Sequence, residues 1–326
     1  DGWGKRGYNW EYTVSMQHQL RDRVSVSGGY FRRWFGNQTF TDDLRYDKSS
    51  YDGPFCITAP QDVNLPGGGG YQVCNLYDLK LGLQNLTPNS LVRLSSDFGG
   101  ETNIYQGIDF NVTSRFQNGA FLQAGIGAVS RTFNNCNLQN AGYDPIITTV
   151  PLVTLQTEVY ADGSRGCARE YPYRPDMKLL GSYPLAYGVQ LSATYQFNHG
   201  VQTGGAGPSV LGTWAIPAAS FVNPATIGST LGRALNPANA TKTVELIREG
   251  LNYGDQNLNQ LDLKLSKRFN LSRYRVRVDA DLYNAFNSNW PYTLNANFST
   301  AATSAWPRPT NVLTGRMFKL GGQFDF

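Results

Sequence analysis

The feature that most constrains this chain is a period of two. Segments at about 8–20, 22–34, 102–116, 119–133, 174–184, 187–198, 257–269, 273–286 and 311–326 alternate apolar with polar residues. Val189, Leu191, Ala193, Tyr195 and Phe197 against Gln190, Ser192, Thr194 and Gln196 form the cleanest case. The last segment places Phe318, Leu320, Gly322, Phe324 and Phe326 on one face, and the sequence stops on an aromatic residue. Most of these segments are roughly twice the length of an ordinary strand. Tight turns and long polar stretches alternate between them. That layout predicts an all-β, antiparallel transmembrane barrel with short turns on the periplasmic side and long loops outside.

Composition agrees with this reading. Charged residues are 16% and aromatics 13%, with 35 glycines, against a charged share of about 25% in ordinary soluble domains. No apolar run approaches the roughly 20 residues of a membrane helix, which a barrel tolerates because only alternate residues face lipid. Net charge is +4. The pairs Arg32–Arg33 and Lys267–Arg268 do not extend into a basic patch, so no nucleic-acid partner is expected. Asp1–Arg6 has no apolar core of a leader.

Cys56, Cys74, Cys136 and Cys167 lack the spacing of a zinc site and fall as pairs in two loop regions. Cys56–Cys74 and Cys136–Cys167 bridges are therefore expected, in an oxidising compartment. The run Gly67–Gly70 is read as loop flexibility between two cysteines. His18 and His199 are the only histidines, and neither sits in a catalytic or metal-binding motif. No enzyme activity, cofactor or metal is expected. Asp109, Arg115, Arg275, Arg277, Asp279 and Asp281 share the polar face of their strands and are candidates for the lumen surface. A generic polar lumen explains them better than a solute-contacting ladder does.

Several runs, in order, resemble one family: YNWEYTVSMQHQL, VSVSGGYFRRWFGNQTFTDD, FCITAPQDVNLPGGGGYQVCNLYDL, YGDQNLNQLDLKLSKRF, VDADLYNAFNSN and PRPTNVLTGRMFKLGGQFDF. The chain is similar to the TonB-dependent-receptor-like outer-membrane proteins of the Oar-like group, which carry a carboxypeptidase-regulatory-like N-terminal domain. The resemblance implies the C-terminal part of a larger barrel of about 22 strands, in the outer membrane of a diderm bacterium. It also implies a plug and further strands upstream in the same precursor, contact with TonB through that plug, outer-membrane lipid around the wall, and Phe324 and Phe326 as an assembly signal. The alternative is a structural or adhesive surface protein that binds partners, or copies of itself, through strand edges and loops. An odd number of strands cannot close antiparallel, so strands 8–20 and 311–326 are expected to pair with strands supplied from elsewhere.

Overall fold

The computed structural model describes residues 4–84, 86–87, 89–140, 159, 166–199, 212–237, 241–247, 257–295, 297–300 and 306–326. Residues 1–3 of the opening segment, and the middles of the second and third long loops, lie outside the described residues. Nine strands form one antiparallel meander. They are β1 Tyr8–Arg21, β2 Val24–Gly36, β3 Thr102–Arg115, β4 Phe121–Asn134, β5 Ala168–Pro184, β6 Val189–Asn198, β7 Leu258–Leu271, β8 Tyr274–Tyr283 and β9 Met317–Asp325. Each pairs with its neighbour in sequence order. β1 and β9 are paired on one side only among the described residues.

The turns at one end are short, and each holds at least one residue in left-handed backbone: Arg23 (φ 66°), Gly119 (φ 83°), Tyr187 (φ 61°) and Ser272 (φ 53°). β8 stops at Tyr283, short of residue 286, because Asn284 takes φ 50°. Its side-chain amide donates to the carbonyls of Ser288 (2.8 Å) and Thr314 (2.9 Å), tying the outgoing chain to the returning one. β9 begins at Met317 and not at 311, because Pro309–Val312 pairs with Pro291–Leu294 in the loop.

The pairing register is strongly staggered. One row of facing residues runs Val24, Ser114, Leu122, Gly181, Ala193, Leu263, Leu282, Phe318. It starts at the first residue of β2, at the turn end, and reaches the loop end of β8. Over those six steps between strands the row climbs eight residues, from Tyr274 to Leu282 on β8. At about 3.3 Å per residue and 4.8 Å between strands, that is a strand slope of about 40°. Sheets that curl into barrels need a tilt of this size.

The alternation sorts residues onto two faces. One carries Trp10, Val14, Met16, Val26, Phe110, Ile126, Leu179, Leu191, Leu263, Val278 and Leu320. Most of these side chains are uncovered, Met16 at 70% exposure and Leu320 at 68%, while Val26, Leu179 and Leu263 are half-buried. The main buried core lies elsewhere, in the long loops.

Candidate functional site: a polar wall and a folded outer cap

The second face of the meander is polar. The register puts Gln17, Ser27, Asn111, Gly125 and Lys178 in one row across β1–β5. Another runs Gln190, Ser266, Asp279 and Gly321 across β6–β9. Asp109, Arg115, Arg275, Arg277, Asp279 and Asp281 all stand on this face.

Only the last three are joined in one network. Lys264 on β7 lies 3.2 Å from Asp279 and 3.5 Å from Asp281, and Arg277 Nε lies 3.2 Å from Asp279. The Ser266 hydroxyl donates to Asp279 at 2.7 Å. Lys264 and Arg277 remain partly exposed, so each pair contributes at most about 1 kcal/mol. Asp109 stands apart and accepts from the Asn111 amide at 3.2 Å. Its carboxylate lies over Gly29, where a Cβ would sit 2.8 Å from Oδ1. Arg115 sits at the turn end, its guanidinium 6.0 Å from the Phe121 ring centre. Arg275 faces Asp325 across β8–β9. Phe324 and Phe326 are on the apolar side, Phe324 stacked with Tyr274 at 5.5 Å and with Phe326 at 6.3 Å. The wall therefore offers hydrogen-bonding groups along its length without a concentrated reactive site. Among the described residues no group of three His, Cys, Asp or Glu side chains is placed to hold a metal ion.

At the loop end, the long connections fold into a cap. Tyr51–Thr58 pairs with Gln72–Leu79, and Thr39–Asp43 pairs with Ser90–Leu94. Thr213–Pro217 pairs antiparallel with Thr241–Glu245 and parallel with Asn297–Phe298, joining the third loop to the fourth. One hydrophobic core draws Phe55, Ile57, Val73 and Leu76 from the first loop, Trp214, Ile216, Phe221, Leu235 and Ile247 from the third, and Phe298 and Trp306 from the fourth. The Tyr71 hydroxyl donates to the Leu246 carbonyl across this core. The second loop is attached by a two-way backbone bridge, Cys74 N–H to Val159 O and Val159 N–H to Cys74 O, each 3.0 Å.

Cys56 is bonded to Cys74, and Cys136 to Cys167. The first bridge joins the paired strands Tyr51–Thr58 and Gln72–Leu79 at the rim of the core. Gly67–Gly70 is a compact turn and not a flexible link. All four residues have positive φ, and a Cβ at Gly69 would overlap the Pro60 carbonyl.

An ionic cluster around the buried Asp78 pins the first loop to the third. Arg233 donates from Nη1 to Asp78 (2.6 Å), from Nη2 and Nε to Asp52 (2.6 and 2.9 Å), and to the carbonyls of Leu79 and Ala234. Asp78 is fully buried and also accepts from the Asn236 N–H at 3.0 Å. Burial pushes its carboxyl up, against the opposing pull of Arg233, Asn236 and Lys242. Lys242, 1% exposed, has its ammonium pushed down to about 8, by burial first and against the attraction of Asp78. Sequence reasoning did not single out Asp52, Asp78, Arg233 or Lys242. The available signal was apolar pairs at i, i+2 inside nominal loops: Phe55/Ile57, Trp214/Ile216 and Val244/Leu246.

No family model matches the chain, and no curated protein matches it. Among solved structures it is similar to the outer membrane transporter YddB from Escherichia coli, at 10% identity and a TM-score of 0.41, over 97% of this chain and 32% of that one. It is also similar to the ferric-catecholate import receptor Fiu of E. coli K12 (11% identity, TM-score 0.35, 97% and 38% covered). A third is a Pseudomonas aeruginosa FadL homologue (10% identity, TM-score 0.19, 98% and 66% covered). The chain thus spans about a third of the length of the first two.

Proposed function

We propose that this chain is the wall and outer cap of an outer-membrane transport barrel, a TonB-dependent receptor that moves a solute inward. The observation that carries the reading is the division of one steeply tilted sheet into two faces. One is mainly apolar and largely uncovered. The other carries Asp109, Arg115, Lys264, Arg277, Asp279 and Asp281. In water the first face would be a large exposed apolar surface; in a bilayer it is the lipid contact, and the second face lines an aqueous lumen.

The unpaired edges of β1 and β9 support a further part of the reading. Each edge would leave backbone N–H and C=O groups without partners in hydrocarbon, at several kcal/mol per group. Strands and a plug from the same precursor complete the barrel, and TonB acts through that plug. A full-length structure in which Tyr8–Arg21 hydrogen-bonds directly to Met317–Asp325 would refute this completion. The alternative, a structural or adhesive protein that self-associates through these edges, is favoured instead if two copies are found joined β1 to β9.

Spin labels test the membrane reading. A label at Val276 should be quenched by oxygen dissolved in lipid, and one at Arg277 by a water-soluble nickel chelate. The reverse pattern rejects the faces. Transport itself is tested by solute uptake in cells with and without the protein, and with the energising partner removed.

A further inference from the structure

The apolar face has one cation near its upper border. Arg32 and Arg33 are adjacent in β2, so they point to opposite faces. Arg33 stands on the polar face and donates from Nε to Glu11 at 2.7 Å. Arg32 stands on the apolar face, in the row Tyr12, Arg32, Gln106, Ser130, and has no hydrogen-bond or ion-pair partner among the described residues. The next row down is Val14, Tyr30, Ile108 and Ala128; the next row up begins Trp10, Trp34 and Ile104.

Its height follows from the tilt. Arg32 is eight residues from Val24, the first residue of β2. At about 3.3 Å per residue and a slope of about 40°, it lies about 20 Å above the turn end. An outer-membrane barrel carries an apolar band about 25 Å tall, bordered by aromatic girdles. Arg32 therefore sits just under the upper girdle, represented here by Trp10 and Trp34. Its stem can lie along apolar surface while the guanidinium reaches up to the headgroups.

The surroundings suit an anion. Arg32 stands between a recess of about 590 Å³, which it lines with Tyr12, Trp34, Glu101, Thr102 and Ile104, and the polar pair Gln106 and Ser130 that follows it in its row. The Gln106 carbonyl oxygen accepts from the Tyr30 hydroxyl at 3.2 Å. That bond orients the amide and leaves its NH2 group to donate. Ser130 is the next hydroxyl along the row. Glu101, on the loop side, has its carboxyl pushed up by burial.

We propose that Arg32, with Gln106 and Ser130, binds the phosphate of an anionic outer-leaflet lipid, the lipid's tails lying on the apolar face below. A guanidinium donates two parallel hydrogen bonds to a phosphate, and a headgroup is presented at this depth as a solution anion is not. The inference rests on the membrane reading above.

The test is native mass spectrometry of the full protein, purified from membranes and released from nanodiscs that contain phosphatidylglycerol, lipid A or phosphatidylcholine. Wild type should retain the two phosphate-charged lipids over phosphatidylcholine. Arg32→Gln should lower that retention about fivefold, the effect of one cation near an anionic surface, and Arg32→Lys, which keeps the charge but loses the two-pronged bond, should restore only part of it. If Arg32→Gln does not assemble, Gln106→Leu should lower retention by about half. Equal retention by wild type and these variants overturns the proposal. Displacement of the lipid by millimolar inorganic phosphate alone also overturns it, in favour of a solution-anion site. Failure of the wild type to insert into bilayers at all defeats the membrane reading first, and the site with it.

Discussion

Replacing Arg233 by methionine should loosen the cap without disturbing the wall. Arg233 supplies Asp78 with a charged hydrogen-bond donor, at 2.6 Å, and Asp78 is fully buried. Once the guanidinium is gone, Asp78 keeps the Asn236 N–H and the more distant attraction of Lys242. Breaking one side of a buried pair costs about 3–5 kcal/mol, because the remaining charge is left uncompensated. Asp52 is partly exposed, so the loss of its contact adds less than about 1 kcal/mol. The expected cost is therefore about 3–5 kcal/mol, confined to the segments that the cluster joins. Hydrogen exchange in the membrane-inserted protein reads this directly. Amides in 72–79 and 241–245 should exchange about a hundredfold faster or more, while those in β3 and β4 stay unchanged. Adding Asp78→Asn should recover most of the protection. A change under about 1 kcal/mol, or no recovery in the double variant, would refute the assignment of Asp78 as a charge held by Arg233.

Other outcomes follow from the same geometry. Lys242 releases its proton at about 8 in the folded cap against an ordinary value of 10.5. The unfolded chain therefore binds more protons between those values, and cap stability should rise with pH across that window by about 3 kcal/mol at the limit; Lys242→Met should flatten this slope in pH-dependent hydrogen exchange. Substituting serine for Cys56 and Cys74, 18 residues apart, should destabilise the cap by about 3 kcal/mol, measured by denaturant titration of a cap-located fluorophore. Ala193→Arg puts a cation on the apolar face and should cost about 2–4 kcal/mol in bilayer folding titrations, whereas Thr194→Arg, on the polar face, should cost under about 1 kcal/mol.

The wall was legible in the sequence because its signal is local. Each strand repeats every two residues for nine residues or more, and a one-residue slip would move Arg277 and Asp279 to the side of Val276 and Val278. Strand ends were less legible, because they depend on single backbone conformations such as that of Asn284, and on competition for Pro309–Val312 from a loop partner. The cap was illegible for a different reason. Its strands are mostly four to eight residues long, too short for periodicity to stand out. Its partners lie far apart: the Thr230 hydroxyl accepts from Cys56 N–H across 174 positions, and Arg233 reaches Asp52 across 181. Nothing near Arg233 in the sequence marks it as one half of a pair with Asp78. Parity puts the lumen candidates on one face of the sheet, but it cannot tell that Asp279 and Asp281 share Lys264 while Asp109 takes its hydrogen bond from Asn111.

The shared core of the cap also bears on the order of events during assembly. Phe55 and Trp306 belong to one cluster, so that cluster cannot close until nearly the whole chain has been delivered to the same side of the bilayer. The hairpins can pair with their neighbours one at a time, through contacts close in sequence, whereas the cap waits for all of them and carries the high contact order of the molecule. Until then its apolar residues have only each other's absence to contend with, and chains arrested partway expose Phe55, Ile57 and Val73 to solvent. A stalled intermediate should thus be recognisable from outside the cell as an uncapped wall, open to proteases that leave the finished protein alone.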